Sequence, residues 1–332
     1  MVRFGYALSS EEHPPADLVR NAALAEEAGL EFALISDHFH PWIDAQGHSP
    51  FVWTVLGGIA RETRRLEVGT GVTCPMIRIH PAIIAHAAAT TADLFDGRFF
   101  LGIGTGENLN EHILGDHWPP YDDRREMLVE SMEVMRGLWQ GDLFSHRGEH
   151  YVVENARLYT VPSDPIRLVV AASGPESATV AGELGDGLIV TAPNQEVLGA
   201  FRRHGGADKP IYGQVTVCWA SSADDAARTL HRVWPTSALK GDLTQELPLP
   251  QHFEDASSHV TPEMLAEQTP IGPDVGSYVD AIRELTDAGV ENVYIHQVGP
   301  DQAGFFEFWT DELGPALADL AERQPATVGA RT

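Results

Sequence analysis

Short apolar segments alternate with longer amphipathic segments along nearly the whole chain. Each apolar segment has the length of a buried strand, and the residues after it show helical periodicity that often ends at a glycine. The pattern predicts eight strands, at residues 4–8, 32–36, 66–70, 99–103, 166–172, 188–190, 212–219 and 293–296. It predicts helices at residues 18–28, 51–60, 81–94, 124–138, 176–183, 196–203, 223–233, 278–288 and 305–320.

This alternation indicates an α/β fold, and a closed (β/α)8 TIM barrel fits it better than an open sheet. Two segments interrupt the alternation. Residues 144–164 are a candidate for a short hairpin, and residues 235–273, rich in Pro and Gln, are expected to lie over the active-site mouth. We expect residues 1–323 to form one domain with insertion segments at the C-terminal face, and residues 324–332 to be a disordered tail.

The 332 residues carry a formal net charge of −26, which makes nucleic acid and anionic membranes unfavourable partners. Near the start we find no apolar segment of a signal peptide, and nowhere the roughly 20 apolar residues of a spanning helix. Two cysteines, Cys74 and Cys218, are too few for a disulfide framework or a structural zinc site. These features predict a cytoplasmic protein whose partner is a small molecule.

In a TIM barrel the catalytic groups lie where strands end, at the C-terminal face. The second strand is followed by Asp37, His38 and Trp42, and the eighth ends at His296. His38 beside Asp37 is a candidate general base held by a carboxylate, because histidine titrates near neutral pH. The alternative is a strand-end histidine whose ring is satisfied by the backbone. The presence of other polar residues at the same rim favours the catalytic interpretation.

The fourth strand is followed by Gly104, Thr105, Gly106 and Glu107. A carboxylate after such a glycine turn can stay near the centre of the mouth and act as an acid if apolar walls raise its pKa. Alternatively, the role of Glu107 could be limited to stabilising the start of the next helix. The sequence leaves these two interpretations open.

Glycine turns after the third, fourth and fifth strands could admit a flat cofactor and a phosphate to backbone N–H groups. The Gly-Thr-Gly run does not match the GxGxxG pattern of a Rossmann fold. The run Asp37-His38-x-His40 and the pair Glu111-His112 match no standard metal-site spacing, so we predict no metal.

Taken together, four motifs resemble those of the luciferase-like hydride transferases. The similarity is greatest to the branch of coenzyme F420-dependent oxidoreductases related to F420-dependent glucose-6-phosphate dehydrogenase, and it runs from residue 4 to about residue 320. The motifs are SDHFHPW at 36–42, GHSPF at 47–51, FLGIGTGE at 100–107 and GDG at 185–187. The resemblance implies a TIM barrel that binds the deazaflavin F420, which carries a hydride on carbon.

It also implies roles for individual residues. His38 would be the active-site base and Asp37 its acidic partner. Trp42 would be the tryptophan beside the deazaflavin that stabilises the reacting substrate. Glu107 would donate a proton to the coenzyme, and Glu11 would line the pocket. Gly71 and Val72 would form a bulge with a non-proline cis peptide bond under the deazaflavin ring. Further cofactor contacts implied by the resemblance are Asp37, Thr105, Gly106, Glu107 and Asn110, with Ser173, Gly174 and Pro175 at the coenzyme phosphate.

The chain departs from the sugar-phosphate enzymes at the substrate phosphate. Where they are expected to carry two lysines and an arginine, the alignment places Asn194, Thr244 and Gln268, with Asn194 in the substrate pocket. A phosphate dianion needs charge-assisted hydrogen bonds, so we predict that glucose 6-phosphate is not the substrate unless Lys240 replaces those cations. We therefore predict hydride transfer to or from a non-phosphorylated alcohol or carbonyl compound.

Two alternatives remain, an FMN-dependent luciferase-like monooxygenase and a non-catalytic F420-binding protein. The resemblance also implies a homodimer, for which the C-terminal aromatic run offers apolar surface unless it packs on the barrel instead. That run comprises Phe305, Phe306, Phe308 and Trp309.

Overall fold

The computed structural model describes residues 1–239 and 241–322, and eight parallel strands in it form a closed barrel. The barrel strands run in the order β1-β10-β9-β8-β7-β4-β3-β2. They are β1 (Arg3–Leu8), β2 (Phe32–Ile35), β3 (Glu67–Thr70), β4 (Phe99–Ile103), β7 (Leu168–Ala171), β8 (Gly187–Val190), β9 (Ile211–Val217) and β10 (Asn292–Gln297). The predicted TIM barrel is confirmed, and every predicted strand overlaps an observed one.

The helices pack around the barrel and end near the predicted boundaries. They are α1 (Pro15–Glu27), α2 (Val52–Glu62), α3 (Pro81–Phe95), α4 (Asn108–Glu111), α5 (Tyr121–Leu138), α6 (Pro175–Leu184), α7 (Gln195–Phe201), α8 (Ala223–Val233), α9 (Leu243–Glu246), α10 (Pro250–Ser257), α11 (Pro262–Ala266), α12 (Val275–Asp287), α13 (Gln302–Phe308), α14 (Gly314–Ala316) and α15 (Ala318–Glu322). The predicted helix 305–320 is interrupted at Leu317, where the backbone leaves the helical conformation, and it contains a π-helical turn at Trp309–Leu313. Pro315, which lacks a backbone N–H, follows that π-helical turn.

The barrel interior is closed by large side chains at its lower end. Phe32 and Phe100 pack against Tyr212, with ring centroids 5.4 and 5.1 Å apart. Gly5 and Gly69 make room for the two phenylalanine rings, because a Cβ at either position would come within 2.6 Å of a ring carbon. The open space of the barrel is therefore confined to the carboxyl ends of the strands.

Both predicted insertions have structure of their own. Strands β5 (Phe144–Arg147) and β6 (Val152–Ala156) form an antiparallel hairpin outside the barrel, as predicted. The segment 235–273 contains α9, α10 and α11, and its residues Thr236, Ser237, Leu239 and Thr244 line the cavity at the barrel mouth. The predicted position of this segment over the mouth is confirmed, while Lys240 lies outside the described residues.

The C-terminal aromatic run could form a dimer surface or pack on the barrel, and the structure shows the second arrangement. Phe305, Phe306, Phe308 and Trp309 are all buried against the barrel. The Trp309 ring lies 5.6 Å from that of Phe4, and its Nε1 donates to the carbonyl of Ala28. The apolar side chains of this run are thus buried within the chain.

The predicted tail, 324–332, lies outside the described residues. Among the helices that are described, none has the length and apolar character needed to cross a membrane.

Candidate active site

A cavity of about 540 Å³ opens at the carboxyl ends of the barrel strands. Nine of the predicted site residues line it: Glu11, His38, Trp42, Gly71, Val72, Thr105, Gly106, Glu107 and Ser173. Five others do not belong to its lining: Asp37, Asn110, Gly174, Pro175 and Asn194. The structure thus brings the proposed base, acid and tryptophan together at one mouth, and it places the remaining residues behind or beside them.

His38 is buried and held at both ring nitrogens. Its Nδ1 lies 3.2 Å from the carbonyl oxygen of His40, which fixes the proton on Nδ1 in the neutral ring. Its Nε2 lies 3.4 Å from Oε1 of Glu11. An unprotonated Nε2 that faces both the cavity and a carboxylate is arranged to accept a proton, since the resulting imidazolium pairs with that carboxylate.

The predicted pairing of His38 with Asp37 is therefore wrong. Within the described part of the chain, the carboxylate in ion-pair range of His38 belongs to Glu11. Asp37 accepts instead from the Thr73 hydroxyl at 2.8 Å and from the Arg78 guanidinium at 2.9 Å. Asp37 does not line the cavity, so it is a positioning residue and not the catalytic group that we predicted.

Glu11 is held as a carboxylate by its surroundings. Burial alone raises its pKa, but the neighbouring His38 and hydrogen bonds from Ser36 and Ser9 outweigh burial, and the net pKa is lowered. The Ser36 hydroxyl lies 2.7 Å and the Ser9 hydroxyl 3.0 Å from Oε2. The ionised form is thus available to stabilise a protonated His38.

Arg78 lies at the centre of a buried charged cluster that sequence analysis missed. Its guanidinium contacts Asp37 at 2.9 Å and Glu111 at 3.4 Å, with all three side chains 6% exposed or less. It also donates to the Asp37 carbonyl. Burial raises the pKa of Glu111 despite the opposing effect of Arg78. Arg78 comes from the loop between β3 and α3, where no periodic pattern marked it.

We expect Arg78→Met to lower the free energy of unfolding by about 3–5 kcal/mol, because it leaves two buried carboxylates without their cation. Urea denaturation followed by circular dichroism measures this. Arg228→Met is the matched control, since the Arg228–Asp225 pair is exposed and we expect little change there. Equal effects of the two substitutions would contradict the structural role of the cluster.

Asn110 connects the loop of the base to the proposed acid. Its Oδ1 accepts from the backbone N–H groups of Phe39 and His40 at 2.9 and 3.2 Å, and its Nδ2 donates to Glu107 at 3.3 Å. The side chain is buried and absent from the cavity lining. The cofactor contact through this side chain stays a prediction, and the hydrogen bonds show that Oδ1 and one N–H of the amide are already used within the protein.

The position of Glu107 favours the first of the two interpretations that the sequence left open. It occupies the N-cap of α4, but its side chain makes no capping hydrogen bond. The side chain lines the cavity instead and is half-buried. The alternative role as a helix cap is thus not observed, and Glu107 is available to groups in the cavity.

Trp42 forms part of the wall beside the base. Its ring centroid lies 5.1 Å from that of His38 and 5.2 Å from that of Phe253 in α10. The backbone N–H of Trp42 is held by Gln46 at 2.8 Å. The insertion segment therefore supports the tryptophan from behind and fixes one side of the site.

Two backbone features match what the family resemblance implied. The peptide bond between Gly71 and Val72 is cis, and both residues line the cavity. Ser173 and Gly174 precede α6, and a Cβ on Gly174 would meet nothing within 4 Å. Ser177, in the first turn of α6, is joined to the Tyr121 hydroxyl at 2.6 Å, and both line the cavity. Sequence analysis missed Tyr121 and Ser177, because a helical pattern does not show which helix end faces the mouth.

The three positions aligned with the phosphate-binding cations lie apart. Asn194 is exposed and its Oδ1 caps α7 by accepting from the N–H groups of Glu196 and Val197. Its predicted place in the substrate pocket is wrong, because it is used as a helix cap. Gln268 is exposed, and only Thr244 lines the cavity. Of the described residues that line the cavity, none is a lysine or an arginine.

Known proteins resemble this chain over most of its length. The family model for luciferase-like monooxygenases matches residues 1–292. The F420-dependent glucose-6-phosphate dehydrogenases of Segniliparus rotundus and Mycolicibacterium smegmatis are each 34% identical to it, and the alignments cover 96% of this chain and 99% of each relative. A solved F420-dependent secondary alcohol dehydrogenase with an F420–acetone adduct has a TM-score of 0.87 at 26% identity, covering 95% of this chain and 99% of that one. These matches confirm the family resemblance inferred from the motifs, and the chain belongs to the luciferase-like family.

Proposed function

We propose that this chain is a coenzyme F420-dependent oxidoreductase that transfers a hydride between the deazaflavin and a neutral alcohol or carbonyl substrate. The observation that carries the proposal is the composition of the cavity. It holds a histidine–glutamate pair, a tryptophan and a second carboxylate, and none of its described lining residues is a lysine or an arginine. The relatives that act with F420 include both glucose-6-phosphate and secondary alcohol dehydrogenases.

The described residues fit a flat cofactor that carries a phosphate. Gly71, Val72 and Gly104 present backbone and small side chains to the cavity, where a ring can lie flat. The hydroxyls of Ser173 and Ser177, together with the N–H groups of the first turn of α6, can hold a phosphate without a basic side chain. The space in front of Gly174 leaves that helix end accessible. When bound, the deazaflavin supplies a carbon that accepts or donates a hydride.

The substrate hydroxyl is proposed to lie at His38. In the oxidation direction, Nε2 of His38 takes the hydroxyl proton while the carbon-bound hydrogen leaves as a hydride. The imidazolium that forms is stabilised by the Glu11 carboxylate at 3.4 Å. In this scheme Glu107, which lines the same cavity, would donate or accept the proton of the coenzyme ring.

A neutral substrate agrees with the charges of the site. The ionisable lining residues include the acidic Glu11 and Glu107, and a phosphate dianion beside them would need cations or several N–H donors to offset the loss of its hydration. An alcohol or a ketone has no such requirement. The solved secondary alcohol dehydrogenase that resembles this chain provides a precedent for such a substrate with F420.

Binding and turnover measurements distinguish the proposal from its two alternatives. We expect calorimetry to show tighter binding of F420 than of FMN, and F420 absorbance to change with at least one neutral alcohol or ketone. Tight FMN binding with no F420 binding would favour a monooxygenase. F420 binding without turnover of any alcohol, sugar or conjugated enone would favour a non-catalytic binding protein.

Other properties remain proposals. We propose a homodimer, which predicts that light scattering at micromolar concentration gives about twice the chain mass of 36.2 kDa. A mass of one chain would contradict it. We also propose a cytoplasmic location, a single domain over residues 1–323 and no nucleic-acid or membrane partner.

A further inference from the structure

Two consecutive glutamates after β1 each hold a histidine, and the proposed chemistry uses only the first pair. Glu11 faces His38, which follows β2, and Glu12 faces His296 in β10. Strand β1 lies between β2 and β10 in the barrel, so one loop serves both neighbouring strands. His38 and His296 line the same cavity.

The second pair is tightly built. Nε2 of His296 lies 2.9 Å from Oε1 of Glu12, and both side chains are 3% exposed. The other carboxylate oxygen of Glu12 accepts from the N–H of Gly299 at 2.8 Å. The Trp234 ring packs edge-on against the imidazole with centroids 4.6 Å apart. The orientation of the His296 ring is therefore fixed from two sides.

One nitrogen of this fixed ring is unused by the protein. Nδ1 of His296 has no hydrogen-bond partner among the described residues. This atom is also not fully enclosed by the protein. It is therefore open to the cavity that His296 lines. A histidine with a purely structural role has no need of a nitrogen kept open at the site.

The hydrogen bonds define what this nitrogen can bind. A carboxylate only accepts, so Glu12 requires the proton on Nε2, and Nδ1 of the neutral ring is an acceptor. The 3.4 Å contact between Nε2 of His38 and Glu11 is within ion-pair range but is not a hydrogen bond, so the carbonyl of His40 sets the opposite tautomer there, with the proton on Nδ1 and Nε2 as the acceptor. The cavity thus presents two imidazole acceptors, and hydroxyl groups are the donors that satisfy both.

The two acceptors are within reach of one small molecule. Neighbouring strands lie about 4.8 Å apart, which puts β2 and β10 roughly 10 Å apart across β1. His38 lies three residues past the end of β2, His296 lies within β10, and both side chains line the cavity. Thr216, the register partner of His296 in β9, and Gln214 add neutral polar groups on the same side.

We propose that His296 is a second substrate-binding residue, whose Nδ1 accepts a hydrogen bond from a substrate hydroxyl other than the one at His38. The substrate class is then a neutral compound with at least two hydroxyl groups, such as a diol, a polyol or an unphosphorylated sugar. This inference rests on the proposed function, because it assumes that His38 takes the reacting hydroxyl.

Matched pairs of alcohols test the inference with the F420-loaded protein. 1,2-Propanediol is compared with 2-propanol, and 1,3-butanediol with 2-butanol, so that each pair differs by one hydroxyl. We expect the wild type to use at least one diol with a kcat/KM about ten-fold above that of the matching monohydroxy alcohol.

The glutamine of His296→Gln can still reach Glu12 but lacks the Nδ1 acceptor, and we expect this variant to lose the preference for the diol through a higher KM. His296→Asn keeps an acceptor oxygen near the Nδ1 position and is expected to retain part of it.

His146→Gln is the matched control. His146 also pairs with a glutamate, since its Nε2 lies 2.9 Å from Oε1 of Glu130, but it does not line the cavity. We expect it to keep the diol preference. The inference is overturned if neither diol is preferred, or if His296→Gln lowers the efficiency with diols and monohydroxy alcohols equally, as a structural role would. The proposed function fails separately, if no neutral alcohol or ketone reacts with F420 at all.

Discussion

His38→Ala is expected to lower kcat for alcohol oxidation by about 10²–10⁴-fold, the usual loss when a general base is removed. The Nε2 atom of His38 faces both the cavity and the Glu11 carboxylate, so it takes the hydroxyl proton and the carboxylate stabilises the charge that results. Coenzyme affinity is expected to stay nearly unchanged. Steady-state kinetics by F420 absorbance and calorimetric titration of F420 measure the two effects.

His204→Ala is the matched control for this substitution. His204 also pairs with a glutamate, Glu183 at 3.1 Å, but it is exposed and away from the cavity lining. Its removal is expected to leave turnover at the wild-type value. If His38→Ala kept normal turnover on an alcohol, another base would operate or the reaction would be the reduction of an activated double bond.

Glucose 6-phosphate is expected to be used with a kcat/KM lower by several orders of magnitude than that of the best neutral alcohol. Each charge-assisted hydrogen bond to an ionised group is worth about 1.5–3 kcal/mol. None of the described lining residues offers such a bond from a lysine or arginine, and Asn194 and Gln268 do not line the cavity. Kinetics with glucose 6-phosphate and a panel of neutral alcohols measure the difference.

Thr244→Lys should partly restore use of the phosphorylated sugar, because Thr244 lines the cavity. We expect kcat/KM for glucose 6-phosphate to rise about ten- to one-hundred-fold. Leu243→Lys adds the same charge at the adjacent exposed residue and is expected to change little. The prediction is contradicted if the wild type prefers glucose 6-phosphate to every neutral alcohol, and a fall of that activity in Lys240→Ala would then locate the cation.

The strands and most helices follow from the sequence, because the periodicity of apolar residues is a local property. The segments at 99–103 and 223–233 coincide with β4 and α8. The rule that strand ends meet at one face of a barrel then predicts from the sequence alone that His38 and Glu107 lie at one mouth. The cis bond between Gly71 and Val72 was implied by the family resemblance and by no local pattern.

Pairing between side chains was decided by the tertiary structure. Asp37 is next to His38 in the chain, yet the carboxylate that holds His38 comes from Glu11, one strand away. Adjacent residues at the end of a strand tend to point to opposite sides, which turns Asp37 toward Arg78 and away from the histidine. Sequence adjacency therefore predicted the right kind of partner but the wrong residue.

The same reason explains the other outcomes. Asn194 and Asn110 are polar residues near the mouth, and only the three-dimensional contacts show that their side chains already bind backbone N–H groups. The aromatic residues 305–309 are apolar enough for an interface or for the core, and their burial against the barrel decided between them. The sequence determined the elements and the ring of polar residues at one end of the barrel. The tertiary structure decided which of these groups are free to meet a ligand, because that depends on contacts between residues far apart in the chain.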